Sequence, residues 1–230
     1  MSWITDFIEL IFPRTCCVCG TPLVGGETAI CSRCLLSTAT ADNTLQQDNI
    51  VELRLAGRVN IEAAMALLYF KKNTTTQQIL HQIKYQNNKE LAHSMGLMMG
   101  DSLLGSGRFG DIDFVIPVPL HRSKERRRGY NQSLLLSKAI AEKTRWPVVD
   151  NVLIRKKKTD SQTHKTREQR LENMQGVFAL TDASMVENKH ILLVDDVVTT
   201  GATLEACCQA LQNATNVRIS VAALAVAGDT

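Results

Sequence analysis

The sequence predicts an α/β fold with a mainly parallel sheet. After residue 60, short apolar runs alternate with longer stretches of helical periodicity, which is typical of that class. One run, Ile-Leu-Leu-Val at residues 191–194, is apolar throughout, as in a central parallel strand buried on both faces. The composition agrees, because 44% hydrophobic and 21% charged residues are ordinary values for a globular protein, and no apolar run suits a membrane span.

The expected elements follow one another in order. Strands are predicted over residues 63–70, 113–117, 152–154, 190–194 and 217–226, and helices over residues 76–85, 90–104, 132–144 and 202–213. Asn131 is a favourable N-cap for the third helix, because its side chain can accept a hydrogen bond from a first-turn N–H. Residues 35–60 are polar and weakly patterned, which predicts a linker or mobile connection.

The first residues predict a short amphipathic helix. Trp3, Phe7, Leu10 and Ile11 recur at spacings of three and four, which places them on one side of a helix. Two acids interrupt the stretch, and it lacks the basic segment and cleavage site of a secretory signal. We therefore expect a cytoplasmic protein whose seven cysteines do not form disulfides.

Five of those cysteines lie close together near the N-terminus and indicate a metal site. Cys16 and Cys19 form one Cys-x-x-Cys pair, and Cys31 and Cys34 form a second. Two such pairs supply four thiolates to a tetrahedral Zn²⁺, which leaves no open position and predicts a structural ion. Cys17 is an alternative to Cys16 in this set. The loop between the pairs is too short for a core, so the metal would supply much of the folding energy.

The run from Ile191 to Thr203 carries the main functional signal. An apolar strand delivers Asp195 and Asp196 to its carboxyl end, which is where open α/β sheets bind ligands. A Thr/Gly loop and a helix follow, and the N–H groups of such a loop can bind a phosphate. Two carboxylates would repel that phosphate unless they bind another group, such as vicinal sugar hydroxyls. The segment therefore predicts a site for a ribose 5-phosphate group.

This run resembles the 5-phosphoribosyl-1-pyrophosphate (PRPP) binding motif of type I phosphoribosyltransferases. Two further segments are similar to signatures of the ComF family (ComFC/GntX-like): Pro-Val-Pro-Leu at residues 117–120 followed by Arg-Gly-Tyr-Asn-Gln at residues 128–132, and a second set at Arg155, Thr159, Gln162, Arg170, Asn173, Gly176 and Phe178. The resemblance implies a type I phosphoribosyltransferase fold with a small N-terminal zinc-ribbon-like module. We expect the helix, zinc module and linker in residues 1–50 and the phosphoribosyltransferase-like domain in residues 51–230.

The resemblance also implies roles for individual residues. Asp195 and Asp196 would bind the ribose 2′- and 3′-hydroxyls with Mg²⁺ nearby, and Arg128 and Gly129 would meet the pyrophosphate. The 5-phosphate would lie on Val198, Thr199, Thr200, Gly201, Ala202 and Thr203. Catalytic roles would fall to Asp195, Asp196 and Arg128, while residues 156–166 would form a lid.

The charge distribution agrees with an anionic ligand. The net charge is only +3, but residues 120–170 hold 15 Lys and Arg against 5 Asp and Glu, a local balance of +10. Pyrophosphate is a highly anionic leaving group, so a transferase needs cations around it as the bond to the sugar breaks. A solvated basic loop without a ligand is the alternative explanation for this segment.

Three functions stay open at this stage. The chain could be a phosphoribosyltransferase with an unknown acceptor, a binder that senses PRPP without turnover, or a nucleic-acid-associated protein with single-stranded DNA or a helicase as partner. The last follows from the competence role of ComF proteins, although only 5% aromatic residues disfavours a stacking surface. Thr199 stands where purine-salvage enzymes carry an Asp, so we do not expect purine salvage. Tyr130 and His121 could face the acceptor or be structural, and the oligomeric state is not predicted.

Overall fold

The computed structural model describes residues 13–41, 45–156 and 176–228. Within them, four parallel strands form a sheet: β1 (Ala63–Phe70), β2 (Phe114–Pro117), β5 (His190–Val198) and β6 (Arg218–Ala227). Their order across the sheet is β1–β6–β5–β2, so β5 and β6 are central. The parallel pairing and the four expected strands confirm the predicted fold class. The predicted N-terminal helix and nearly all of the predicted lid lie outside the described residues.

Helices cover both faces of the sheet. In chain order they are α1 (Ser32–Leu36), α2 (Ile50–Leu55), α3 (Thr75–Tyr85), α4 (Lys89–Gly105), α5 (Arg122–Arg128), α6 (Gln132–Thr144) and α7 (Ala202–Leu211). The helices α2 and α7 pack into the core on one face, whereas α3, α4 and α6 pack into the core on the other. Strand β5 serves both, because Ile191 and Leu193 belong to the first core and Leu192 and Val194 to the second.

A two-stranded antiparallel ribbon lies beside the sheet. It pairs β3 (Leu153–Arg155) with β4 (Phe178–Leu180), and both strands pack near α7. The sequence predicted a strand at residues 152–154, one residue earlier than it forms, but it did not predict the partner strand. No helix in the described part of the chain is both long and apolar enough to cross a bilayer.

The segment before β1 differs from the sequence prediction. Asn49 caps α2, since its Oδ1 accepts hydrogen bonds from the N–H groups of Val51 (3.1 Å) and Glu52 (3.3 Å). Its Nδ2 donates to the Ala64 carbonyl at 2.8 Å, and Val51 and Leu55 are fully buried. The prediction of a linker or mobile connection over residues 35–60 is therefore wrong for this stretch, which forms a capped helix that packs against the domain.

The cysteine-rich segment packs directly on the domain. Its buried residues, Cys16, Ala29, Ile30, Cys31 and Cys34, share one hydrophobic core with α3 and α4. Gln82 of α3 donates to the Cys17 carbonyl at 3.1 Å, which fixes the first cysteine pair against this helix. The boundary between residues 50 and 51 stays a prediction.

Candidate functional site

The acid pair lies where the sheet loses a strand. Pro117, the last residue of β2, pairs with Val194, so β5 continues beyond it beside β6 alone. Asp195 and Asp196 are the next two residues of β5, and each is 9% exposed. The strand therefore places both carboxylates at the carboxyl edge of the sheet, in an environment with little water.

Polar partners surround the two carboxylates. Asp195 Oδ1 accepts hydrogen bonds from the Asp196 N–H (2.8 Å) and from Ser133 Oγ (3.3 Å), at the start of α6. Asp196 Oδ1 lies 3.1 Å from Lys84 Nζ, in the last turn of α3. Burial, and then the negative charge of Asp196, raise the pKa of Asp195 well above its usual range. A ligand that brings hydroxyl donors or a cation would relieve this repulsion.

The loop after β5 makes a tight turn into α7. Gly201 has φ +80°, a left-handed conformation that glycine adopts without steric cost, and it precedes the first helical residue. Thr199 is exposed, and Thr200 and Thr203 are half-buried, while Gly201 and Ala202 are buried. The N-cap residue Gly201 has no side chain to cap α7, and the bond from the Ala202 N–H to Thr200 Oγ1 is long at 3.5 Å, so the first N–H groups of the helix are suited to an anion.

Two arginines that the sequence did not predict contact the carbonyl groups of this loop from the α2 side. Arg54 of α2 donates through Nη1 to the carbonyls of Thr199 (2.6 Å) and Val198 (3.2 Å), and through Nη2 to that of Ala227. Arg58 donates to the Thr200 carbonyl at 3.1 Å and pairs with Glu205 of α7 at 3.2 Å. These contacts hold the loop carbonyls on the α2 side. The contacts join residues far apart in sequence, and no local pattern marks them.

The residues predicted to meet pyrophosphate lie at the end of α5. Gly129 ends this helix in the left-handed conformation, with φ +83°. The Arg128 guanidinium lies 5.3 Å from the centre of the Tyr85 ring, and its buried Nε has no hydrogen-bond partner among the described residues. Tyr85 follows Lys84 on α3, so Arg128 and Asp196 both contact the last turn of this helix.

Tyr130 and His121 both have structural partners. The Tyr130 hydroxyl donates to the carbonyl of Ile83, and the side chain is buried. His121 caps α5, because its Nδ1 accepts from the Ser123 N–H at 3.2 Å. Neither contact supports a role at the acceptor, which favours the structural alternative for both residues.

The four predicted metal ligands converge. The Sγ atoms of Cys16, Cys19, Cys31 and Cys34 all lie within 4.8 Å of one another. Those of Cys19 and Cys31 are 3.7 Å apart, close to the ~3.8 Å that a tetrahedral site with Zn–S bonds of ~2.3 Å requires. Cys17 is not part of this group, so the geometry favours Cys16 for the fourth position.

Backbone N–H groups support the sulfur atoms of the cluster. Cys16 Sγ accepts from the N–H groups of Cys31 (3.3 Å) and Val18 (3.5 Å), and Cys31 Sγ accepts from the Cys34 N–H (3.4 Å). Such bonds offset the negative charge of thiolates. The donor set, its geometry and its support therefore fit a Zn²⁺ ion.

Comparison with known proteins agrees with this architecture. The model of the phosphoribosyl transferase domain family matches residues 131–229. The DNA utilization protein YhgH of Shigella flexneri is 26% identical over 215 residues, which cover 88% of this chain and 92% of that protein. Competence protein F of Haemophilus influenzae is 29% identical over 130 residues, which cover 55% of this chain and 57% of that protein.

Among solved structures, glutamine PRPP amidotransferase from B. subtilis has a TM-score of 0.43 and 15% identity over 64% of this chain. The chain spans only 30% of that larger protein. The family match and the relatives confirm the resemblance that the motifs indicated. The chain therefore carries a match to the phosphoribosyl transferase domain family after its four-cysteine segment, and it is similar to YhgH- and competence-type proteins.

Proposed function

We propose that the chain binds PRPP at the carboxyl edge of the sheet and transfers its 5-phosphoribosyl group to an acceptor, or holds it without transfer. The observation that carries this proposal is the position of Asp195 and Asp196 beyond the end of β2, directly before the loop that turns at Gly201. Carboxylates are suitable acceptors for the two ribose hydroxyls, and loop N–H groups are suitable donors to the oxygen atoms of the 5-phosphate.

In this arrangement the ligand lies across the edge of the sheet. The 5-phosphate contacts residues 198–203, the diol contacts the acid pair, and the diphosphate extends toward Arg128 and Gly129. Positive charge develops on the sugar as its bond to the diphosphate breaks, so the paired carboxylates also suit the transition state. Mg²⁺, when bound with PRPP, would neutralise part of the diphosphate charge.

We propose in addition that Cys16, Cys19, Cys31 and Cys34 hold a structural Zn²⁺ ion. The cluster lies in the same core as α3 and α4, so the ion would stabilise this side of the domain rather than a detached module. A reducing compartment keeps such thiols available, which is the basis for proposing a cytoplasmic location.

Calorimetric titration with PRPP and Mg²⁺ tests the binding site. We expect saturable binding by the wild type and at least a tenfold loss of affinity in the double variant Asp195→Asn, Asp196→Asn, which keeps side-chain volume but removes both charges. The matched control is Asp101→Asn with Glu142→Gln, which changes two acids that are 60% and 57% exposed on α4 and α6. Absence of saturable binding, or equal affinity in the acid-pair variant, would contradict the proposal.

Release of pyrophosphate separates transfer from simple binding. PRPP and Mg²⁺ are supplied with amines, nucleobases or oligonucleotides, and the pyrophosphate formed is measured. Release that depends on both an acceptor and the acid pair would identify a transferase. Binding without release under any of these conditions would support a PRPP-sensing protein instead.

A nucleic-acid-binding function is the second candidate. Helix α5 presents three exposed arginines, Arg122, Arg126 and Arg127. Tyr85 of α3, which is 60% exposed, lies beside this helix, with its ring under the Arg128 guanidinium. An exposed aromatic ring next to a basic helix suits single-stranded nucleic acid. The relatives are named for DNA utilization and competence, and a helicase partner follows from the family resemblance alone.

A salt titration tests this candidate. Single-stranded DNA is titrated at several salt concentrations, with Arg126→Gln plus Arg127→Gln as the variant and Arg33→Gln plus Arg145→Gln as the control. Phosphate contacts predict that affinity falls with salt, with a logarithmic slope of about −0.7 per contact, and that the α5 variant reduces the slope. A slope near zero, or the same slope in both variants, would contradict it.

A further inference from the structure

Lys84 lies at the acid pair although no motif in the sequence marks it. Its Nζ is 3.1 Å from Asp196 Oδ1, and the two side chains are 19% and 13% exposed. It belongs to the last turn of α3, which is remote from β5 in sequence and packs on the face of the sheet opposite α7. The fold therefore brings a cation to the two carboxylates from the side away from the phosphate loop.

The Lys84 ammonium group has more N–H donors than its one contact uses. A lysine carries three N–H donors, and among the described residues Asp196 accepts from Lys84 while no other partner does. The side chain is mostly enclosed, so two donors remain for a ligand or for water at this edge of the sheet. Oxygen atoms of an anionic ligand are the partners that such a group prefers.

The neighbours of Lys84 indicate which part of a ligand it would meet. The next residue, Tyr85, holds the Arg128 guanidinium 5.3 Å above its ring, and the buried Arg128 Nε also lacks a partner among the described residues. Two cations with unused donors thus lie around the end of α3. The loop from Thr199 to Thr203 leads instead into α7, on the other face.

We infer that Lys84 binds the diphosphate group of PRPP, across the acid pair from the 5-phosphate loop; this inference rests on the proposed PRPP site. The ion pair with Asp196 then holds Lys84 in place before the ligand arrives. The ligand class is an inorganic or sugar-linked diphosphate, and a sugar monophosphate that lacks the diphosphate does not use this residue.

A purely structural ion pair is the competing explanation, and it has a different consequence. If Lys84 only balances the charge of Asp196, its loss disturbs the contact with the ribose hydroxyls. Affinity for ribose 5-phosphate and for PRPP would then fall together, and affinity for free pyrophosphate would not change.

Titrations with three ligands distinguish these explanations. PRPP, inorganic pyrophosphate and ribose 5-phosphate, each with Mg²⁺, are titrated into wild type, Lys84→Met and Lys143→Met. Lys143 is the control, because its Nζ lies 3.0 Å from Asp101 Oδ1 in an ion pair of similar length but greater exposure, at the far end of α6 from Ser133. We expect Lys84→Met to bind PRPP and pyrophosphate roughly tenfold or more weakly than the wild type does. Its affinity for ribose 5-phosphate should stay within about twofold of the wild-type value. Lys143→Met should leave all three affinities unchanged.

Two results would overturn the inference. Unchanged affinity of Lys84→Met for PRPP and pyrophosphate would show that Lys84 is not a ligand, and parallel loss of PRPP and ribose 5-phosphate with normal pyrophosphate binding would show that it acts only through Asp196. If Lys84→Met does not fold, Lys84→Gln replaces it, with Lys84→Arg expected to retain most of the diphosphate affinity. A wild type that binds none of the three ligands would instead refute the proposed function itself.

Discussion

Gly201→Ala is expected to weaken PRPP binding by more than its effect on stability explains. An alanine at φ +80° costs about 1–2 kcal/mol, because its Cβ crowds the backbone in the left-handed region. The added Cβ would also lie 3.3 Å from Leu55 Cδ2 and 3.6 Å from the Arg54 carbonyl oxygen. Leu55 is fully buried in α2, so the loop itself has to shift by a few tenths of an ångström, and its N–H groups move with it.

The matched control is Gly107→Ala. Gly107 has φ +66°, but an added Cβ there meets no atom within 4 Å, so this variant has the left-handed cost without the contact. Thermal unfolding should show a similar loss of about 1–2 kcal/mol in both variants, or roughly 2–8 °C for a chain of this size. Calorimetric titration with PRPP and Mg²⁺ should show roughly tenfold weaker binding for Gly201→Ala alone.

Two outcomes would refute this reasoning. Wild-type affinity in Gly201→Ala would mean that the turn at this position does not shape the phosphate site. An equal loss of affinity in both variants would mean that the effect follows from general destabilisation and not from the loop.

Three further predictions concern the supports of the site and the fold. Arg54→Met removes the donors to the Val198, Thr199 and Ala227 carbonyls, so it should lower the free energy of unfolding by about 2–3 kcal/mol and weaken PRPP binding; normal affinity would contradict the bracing role of α2. Elemental analysis should find about one zinc per chain in the wild type and in Cys17→Ser but much less in Cys16→Ser. Zinc retained in Cys16→Ser and lost in Cys17→Ser would show that Cys17 is the ligand instead. Hydrogen bonds from Arg218 and then His190 lower the pKa of Asp111 to about 2, so its stabilising effect is complete above the unfolded pKa near 4 and disappears as the pH falls toward 2. The free energies of unfolding of wild type and Asp111→Asn, measured with denaturant, should therefore converge as the pH falls through that range. A difference that is constant with pH would count against this role of Asp111.

The elements around the acid pair were predictable because their signals are local. An apolar strand, two acids, a Thr/Gly loop and a helix follow one another from Ile191 to Leu211, and each signal lies within a few residues of the structure that it specifies. The cysteine pairs were equally clear, although only the geometry favours Cys16 over Cys17. The sequence also identified Asn131 as the cap of α6, where its Oδ1 accepts from the Ser133 N–H at 3.1 Å.

The supports of the site were not predictable in the same way. Helix α2 is only six residues long, and its apolar residues Val51 and Leu55, followed by Val59, give a weak pattern at a spacing of four. That spacing could have indicated a helix, but nothing in it shows that Arg54 reaches the loop at Thr199. Lys84 likewise sits in an ordinary amphipathic helix and meets Asp196 only after the chain has folded. Such contacts depend on tertiary structure, which one sequence does not reveal.

A crystal structure of the protein with PRPP and Mg²⁺ tests the central claim most directly. We expect the ribose hydroxyls on Asp195 and Asp196, the 5-phosphate on the N–H groups of residues 199–203, and the diphosphate beside Lys84 and Arg128. PRPP bound at another surface, or bound here with the acid pair facing away from the sugar, would contradict it.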